Sequence, residues 1–129
     1  MASLPKSASQ KPRLDPASVL SKAVVRAAEK LALRQAQLAK LLGLSTATAS
    51  RLSAGTWTLP EHSKAWELAT AFVRIYRSLS AITGGEVRAM RAWLYSQNTA
   101  LGGEPAERML SAEGLFHVLT YLDAERGRI

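Results

Sequence analysis

Gln35-Ala36-Gln37-Leu38-Ala39-Lys40-Leu41-Leu42-Gly43-Leu44-Ser45-Thr46-Ala47-Thr48-Ala49-Ser50-Arg51-Leu52 is the stretch on which the fold reading turns. Two short helices are expected in it. The first runs from about Arg34 to Leu42 with Leu38, Leu41 and Leu42 inward; the second is capped by Ser45 or Thr46 and runs to about Ala54. Gly43 and Gly55 close them, because a helix end commonly needs a residue that tolerates positive φ. Helices that cross steeply need a small residue where their backbones approach, and Ala39 supplies it. Leu38, Leu42, Leu44, Ala49 and Leu52 can then close a small core beneath the pair.

That arrangement leaves Gln35, Ser45, Thr46, Ala47, Ser50 and Arg51 as the outward residues. They are small or polar side chains plus one arginine able to reach guanine edges or phosphate. The pattern resembles the Xre/Cro-type helix-turn-helix, which implies that the second helix enters the major groove of DNA. An ordinary helical hairpin would satisfy the same Ala, Gly and Leu spacing. Charge favours the DNA reading. The formal charge of the 129-residue chain is +7. Residues 1–60 hold nine Lys and Arg against Asp15 and Glu29, whereas residues 61–129 hold eight basic against eight acidic side chains. A basic half beside a neutral one points to a polyanion for the first and a different task for the second.

Outward from the motif, the chain reads as all-α. Apolar residues make up 47% and aromatic residues 6%, with Ala and Leu, the strongest helix formers, dominant. Residues 1–13 read as a flexible basic arm. Asp15-Pro16 starts a helix as N-cap and first residue, with Leu20, Ala23, Val24, Ala27, Ala28 and Leu31 in one stripe. After Leu59-Pro60 a longer helix is expected from His62 to Ile82, with Ala65, Leu68, Ala69, Phe72, Tyr76 and Leu79 on its main face. Trp66, Val73 and Ile75 lie off that face, so the helix wants several neighbours. One is expected within the chain and another across a two-fold axis, unless Trp66 and Val73 merely pack under Trp57 and Leu59. Thr83-Gly84-Gly85 breaks the helix, which places the division between residues 14–83 and a C-terminal domain, 84–129. There, a helix covers Glu86 to about Ser96 and a loop covers Asn98 to Gly103. Glu104-Pro105 opens a short helix to about Leu110, and Ser111 caps a last helix striped by Leu115, Val118, Leu119 and Leu122. Trp93 is expected to seat the short helix against the last one, and Gly114 to permit close packing.

In this half Arg91-Ala92-Trp93-Leu94, Asn98, Ala100-Leu101-Gly102-Gly103, Glu104-Pro105, Leu110, Ser111, Glu113-Gly114, Val118, Leu122 and Gly127 resemble the toxin-binding domain of Xre/MbcA/ParS antitoxins. The resemblance spans Val87 to Ile129. It departs from the family at the end, where four residues instead of two separate Leu122 and Gly127. It implies an antitoxin without catalysis, whose partner is a RES-domain toxin that consumes NAD or transfers ADP-ribose. Arg126, Gly127, Arg128 and Ile129, with Glu113 and the exposed face of the last helix, are expected to contact that toxin and block its active site. Arginine can pair bidentately with carboxylates there. The bland alternative is that Arg126 and Arg128 only complement the negative end of the helix.

Other chemistry finds little support. The chain has no cysteine, His62 and His117 are isolated, and the glycine pairs lack a nucleotide-loop context. No cofactor, metal or membrane span is expected, and a cytoplasmic, nucleoid-associated homodimer that also binds its toxin fits best. The rival reading is a stand-alone phage-type repressor with a C-terminal dimerisation domain; a neighbouring toxin-like gene would decide between them. An RNA-binding or nucleoid structural role is disfavoured because aromatics are not interleaved with the basic residues.

Overall fold

The computed structural model describes residues 15–127, so the arm at 1–13 and the tail residues Arg128 and Ile129 lie outside the described residues. Among the described residues there are seven α-helices, one 3-10 turn and no strand. We label the helices α1 (Pro16–Lys30), α2 (Gln35–Leu42), α3 (Thr46–Ala54), α4 (Lys64–Thr83), α5 (Val87–Leu94), α6 (Pro105–Arg108) and α7 (Ala112–Arg126).

Local chemistry sets most of these boundaries. Ser45, Ser63 and Ser111 are N-caps whose hydroxyls accept the N–H of Thr48, Trp66 and Gly114. Asp15 also occupies an N-cap position, but its side chain makes no capping bond; Pro16 at the first turn is what presets that helix. Two expectations need correction. α4 begins at Lys64, not His62, because His62 sits at φ 65° ahead of the Ser63 cap. The segment expected as a plain loop is ordered: Asn98 and Gly103 form an antiparallel bridge around the 3-10 turn Thr99–Leu101, and Asn98 Oδ1 accepts Leu101 N–H at 3.2 Å.

α4 is the hub. It packs against α1 and α2 on one side and against α5 and α7 on the other. Phe72, Ile75 and Leu79 are wholly enclosed, and the buried apolar residues of all seven helices form one continuous cluster. Burying each such side chain is worth about 1.5–3 kcal/mol. The Arg74–Asp123 ion pair between α4 and α7, 2.8 Å long but solvent-exposed, contributes at most about 1 kcal/mol. Apolar burial therefore decides the architecture. It also takes in part of the off-stripe surface of α4. Val73 and Ile75 are buried inside the single chain, and Trp66 and Val73 line a groove with Pro16, Val19, Leu20 and Ala23 of α1, with neither Trp57 nor Leu59 in it.

Two buried hydroxyls tie elements together across this core, while Arg108 Nε is buried without a hydrogen-bond partner among the described residues. Ser21, buried on α1, accepts the N–H of Leu59 through its hydroxyl at 2.9 Å, which fastens the connector before α4. Ser78 of α4, also buried, donates to Asp123 Oδ1 at 3.3 Å. Trp93 of α5 stacks on Tyr121 of α7, with centroids 6.3 Å apart.

Gly114 is where the close approach anticipated from sequence occurs. A Cβ there would collide with the Arg108 carbonyl, whose carbon would lie 2.7 Å away. That obstacle is backbone at the end of α6 and cannot swing aside. Gly114→Ala should therefore cost about 1–3 kcal/mol or more, read as a lowered urea midpoint; an unchanged midpoint would contradict this packing.

Candidate DNA-facing and partner-facing sites

α2 and α3 form the expected helix-turn-helix. Gly43 ends α2 at φ 68°, and Ala39, Leu38, Leu42, Ala49 and Leu52 are buried beneath the pair, with Leu44 packed at the edge. All six residues expected on the outward face are exposed: Gln35, Ser45, Thr46, Ala47, Ser50 and Arg51. Their chemical freedom differs. The Ser45 hydroxyl accepts Thr48 N–H at 3.1 Å and donates to Thr48 Oγ1 at 3.0 Å, so it shapes the start of α3. Gln35 Oε1 accepts the Ser53 hydroxyl at 3.0 Å, bracing α2 to α3 and leaving its NH2 group as a donor. Thr46, Ala47, Ser50 and Arg51 remain as the accessible surface of α3.

Sequence reading missed the basic rim. Lys22 and Arg26 of α1 line one cleft with Ser53 and Gly55 at the end of α3. With exposed Lys30 they form an i, i+4, i+8 row, spacing that puts all three on one helix face. That spacing was a signal, but it reads equally as an ordinary solvated face until the fold brings it beside α3.

The turn that delivers α2 is held from the far half of the chain. Ala32 follows α1 at φ 59°, a left-handed conformation that disfavours any residue with a Cβ by about 1–2 kcal/mol. Across this turn reach two side chains of the α5 region. Arg91 Nε donates to Lys30 O at 2.7 Å and Nη2 to Glu29 O at 3.4 Å. The Tyr95 hydroxyl is shared between Leu31 O at 2.8 Å and Ala32 O at 3.0 Å. The carbonyls of Lys30, Leu31 and Ala32 are ones that the helix end leaves without a backbone donor, whereas Glu29 O also accepts Ala32 N–H; a cation there also complements the helix dipole. Burial pushes the Tyr95 phenol above its ordinary value of 10.0, and nearby Glu104 adds to the rise while Arg34 and Arg91 oppose it. The hydroxyl therefore stays protonated and able to donate throughout the neutral range.

The partner-facing residues are spread along α7. Glu113 is exposed in its first turn and Arg126 in its last, about 20 Å apart at 1.5 Å per residue. The structure does not bring them into one site. Arg126 Nη1 donates to Ser78 Oγ at 3.5 Å, a partial tie to its own chain. Gly127 continues in αR geometry at the helix end, and Arg128 and Ile129 lie outside the described residues. Between the ends, Phe116, His117 and Thr120 are exposed. Phe116, 45% exposed, shares a cleft with Trp66, Glu67, Thr70, Ala71 and Arg74 of α4.

Among the described residues, no group of three or more His, Asp or Glu could hold a metal ion, and no helix is long and apolar enough to cross a membrane. No curated protein matches the chain. Two family models do. Residues 12–74 match the antitoxin Xre-like helix-turn-helix domain, and residues 78–128 match the antitoxin Xre/MbcA/ParS C-terminal toxin-binding domain. The matches part between residues 74 and 78, inside α4, and the turn at Gly84-Gly85 ends that helix. Taken in order over nearly the whole described fold, the helix-turn-helix and the helical region that follows it place the chain in the Xre/MbcA/ParS antitoxin family.

Proposed function

We propose that the chain is the antitoxin of a type II toxin–antitoxin pair, that it blocks the active site of a RES-type toxin which consumes NAD or ADP-ribosylates, and that it represses its own operon as a DNA-bound homodimer. The observation that carries this reading is the joining, on one core, of a helix-turn-helix with Thr46, Ala47, Ser50 and Arg51 exposed to a region matched to a toxin-binding family. A stand-alone repressor with a C-terminal dimerisation domain would account for the first part but not for the match of the second to a toxin-binding family.

For DNA, α3 is the recognition helix. Arg51 is its base- or phosphate-reading side chain, while Lys22, Arg26 and Lys30 answer neighbouring phosphates. One α3 covers a few base pairs, so a palindrome read by two copies about 34 Å apart, one DNA turn, supplies the rest. The apolar groove between α1 and α4, flanked by exposed Val19 and half-buried Trp66, is the face we assign to the second copy. Sedimentation of the chain with a duplex from its own promoter should show two chains per site. Binding should weaken steeply as salt rises, and Arg51→Ala should lose about 1–3 kcal/mol. One chain per duplex would refute the dimer, and full binding by the variant would remove Arg51 from the interface.

For the toxin, the end of α7 is the blocking element. Arg126 and Arg128 present cations, and Gly127 lets the backbone between them approach a pocket wall. Glu113, at the other end of the helix, belongs to the rim of the contact. Deletion of Gly127 to Ile129 should leave a chain that still associates with the toxin through the α7 surface but no longer inhibits it. Full inhibition by the truncated chain would instead assign the block to the surface between Trp93 and Glu113.

A further inference from the structure

The α1–α2 turn sits at a junction. Immediately before it is the basic row of α1; immediately after it is Gln35, the first residue of α2, which braces α3 through Ser53. The turn holds a left-handed alanine rather than a glycine, and its backbone bonds are few. Ala32 N–H reaches Glu29 O at 3.1 Å and Leu33 N–H reaches Ala28 O at 2.9 Å. The carbonyls of Lys30, Leu31 and Ala32 are taken by Arg91 and Tyr95 alone among the described side chains, and Arg91 adds a second, 3.4 Å contact to Glu29 O. Both residues come from the region matched to the toxin-binding family, more than 60 positions along the chain from the backbone they hold. Nothing in the fold of α5 requires this. Its fully buried residues are Met90 and Leu94, with Val87, Trp93 and the Tyr95 ring packed at the edge of the core, while Arg91 is exposed.

We propose that Arg91 and Tyr95 are positioning residues for DNA binding: they fix the turn that aims α2 and α3, although they touch no DNA and lie in the toxin-binding half. The physical ground is geometric. Four donor–acceptor contacts converge on four consecutive carbonyls, so the exit direction of α2 is set by two side chains of α5 as much as by its local sequence. Removing them leaves the apolar core intact and lets the turn sample other directions, which lowers the population of the DNA-competent arrangement and with it the apparent affinity.

This inference rests on the DNA-binding reading above, and the experiment separates the two. Tyr95→Phe keeps the ring and removes only the hydroxyl; Arg91→Gln removes the charge and most donors; the double variant removes the clamp. Each is titrated against a duplex from the promoter, and backbone amide exchange is followed in the free protein. Each single variant should bind about tenfold more weakly, the effect of one or two lost hydrogen bonds. Exchange should quicken at Ala32 and Leu33 while Leu119 and Leu122 of α7 keep their protection. A double variant that binds like the parent chain would overturn the positioning role. So would an exchange increase shared equally by α7, which would show general destabilisation instead. A parent chain that binds no such duplex would overturn the DNA-binding reading itself, and the positioning role with it.

Discussion

The burial of α4 is the constraint from which the other features follow. A 20-residue helix with Ala65, Leu68, Ala69, Ala71, Phe72, Val73, Ile75 and Leu79 all buried leaves one stripe, Glu67, Thr70, Arg74 and Arg77, in water and must cover the rest. It is covered by α1, α2, α5 and α7, with α7 lying along it from Phe116 beside Trp66 and Thr70 to Asp123 and Arg126 beside Ser78. The two family regions meet inside it, so neither has a complete core without the other. Separate modules joined by a linker would let the DNA-facing and partner-facing surfaces tumble independently. One helix threaded through both fixes their relation.

Electrostatics is laid over this apolar frame without supporting it. The basic excess of the first half is carried, among the described residues, by exposed Lys22, Arg26, Lys30, Arg34, Lys40 and Arg51. None of these is held in an ion pair among the described residues. Such charges contribute little to folding and are available to phosphates. The second half uses its charges differently. Asp123 takes Arg74 and the Ser78 hydroxyl, Arg126 reaches the same Ser78, and Arg91 serves the end of α1. Charges in one half face outward, and several in the other tie helices together.

Much of this was legible in the sequence because helix ends are written locally. Pro16, Gly43, Ser45, Gly55, Gly84 and Ser111 each announce a boundary within a residue of where it falls, since capping and positive φ depend on one residue and its immediate neighbours. The outward face of α3 followed from the same periodicity that gave its core. What could not be read were bonds between distant positions. Leu59 to Ser21, Arg91 to Lys30 and Tyr95 to Leu31 join residues 38, 61 and 64 apart, and no local pattern marks either partner. The extra apolar residues of α4 were correctly seen to need more neighbours, but Val73 and Ile75 found them in the same chain, because α1 and α7 return to it. His62 reads as helical in the sequence because nothing in its identity signals the left-handed turn it occupies.

The two regions share one core through α4. Calorimetric unfolding tests this most directly, because a shared core must melt as one unit. A single transition whose calorimetric and van't Hoff enthalpies agree is the predicted result. Two resolved transitions, or a calorimetric enthalpy well above the van't Hoff value, would show that the helix-turn-helix and the toxin-binding region fold separately and would contradict the account.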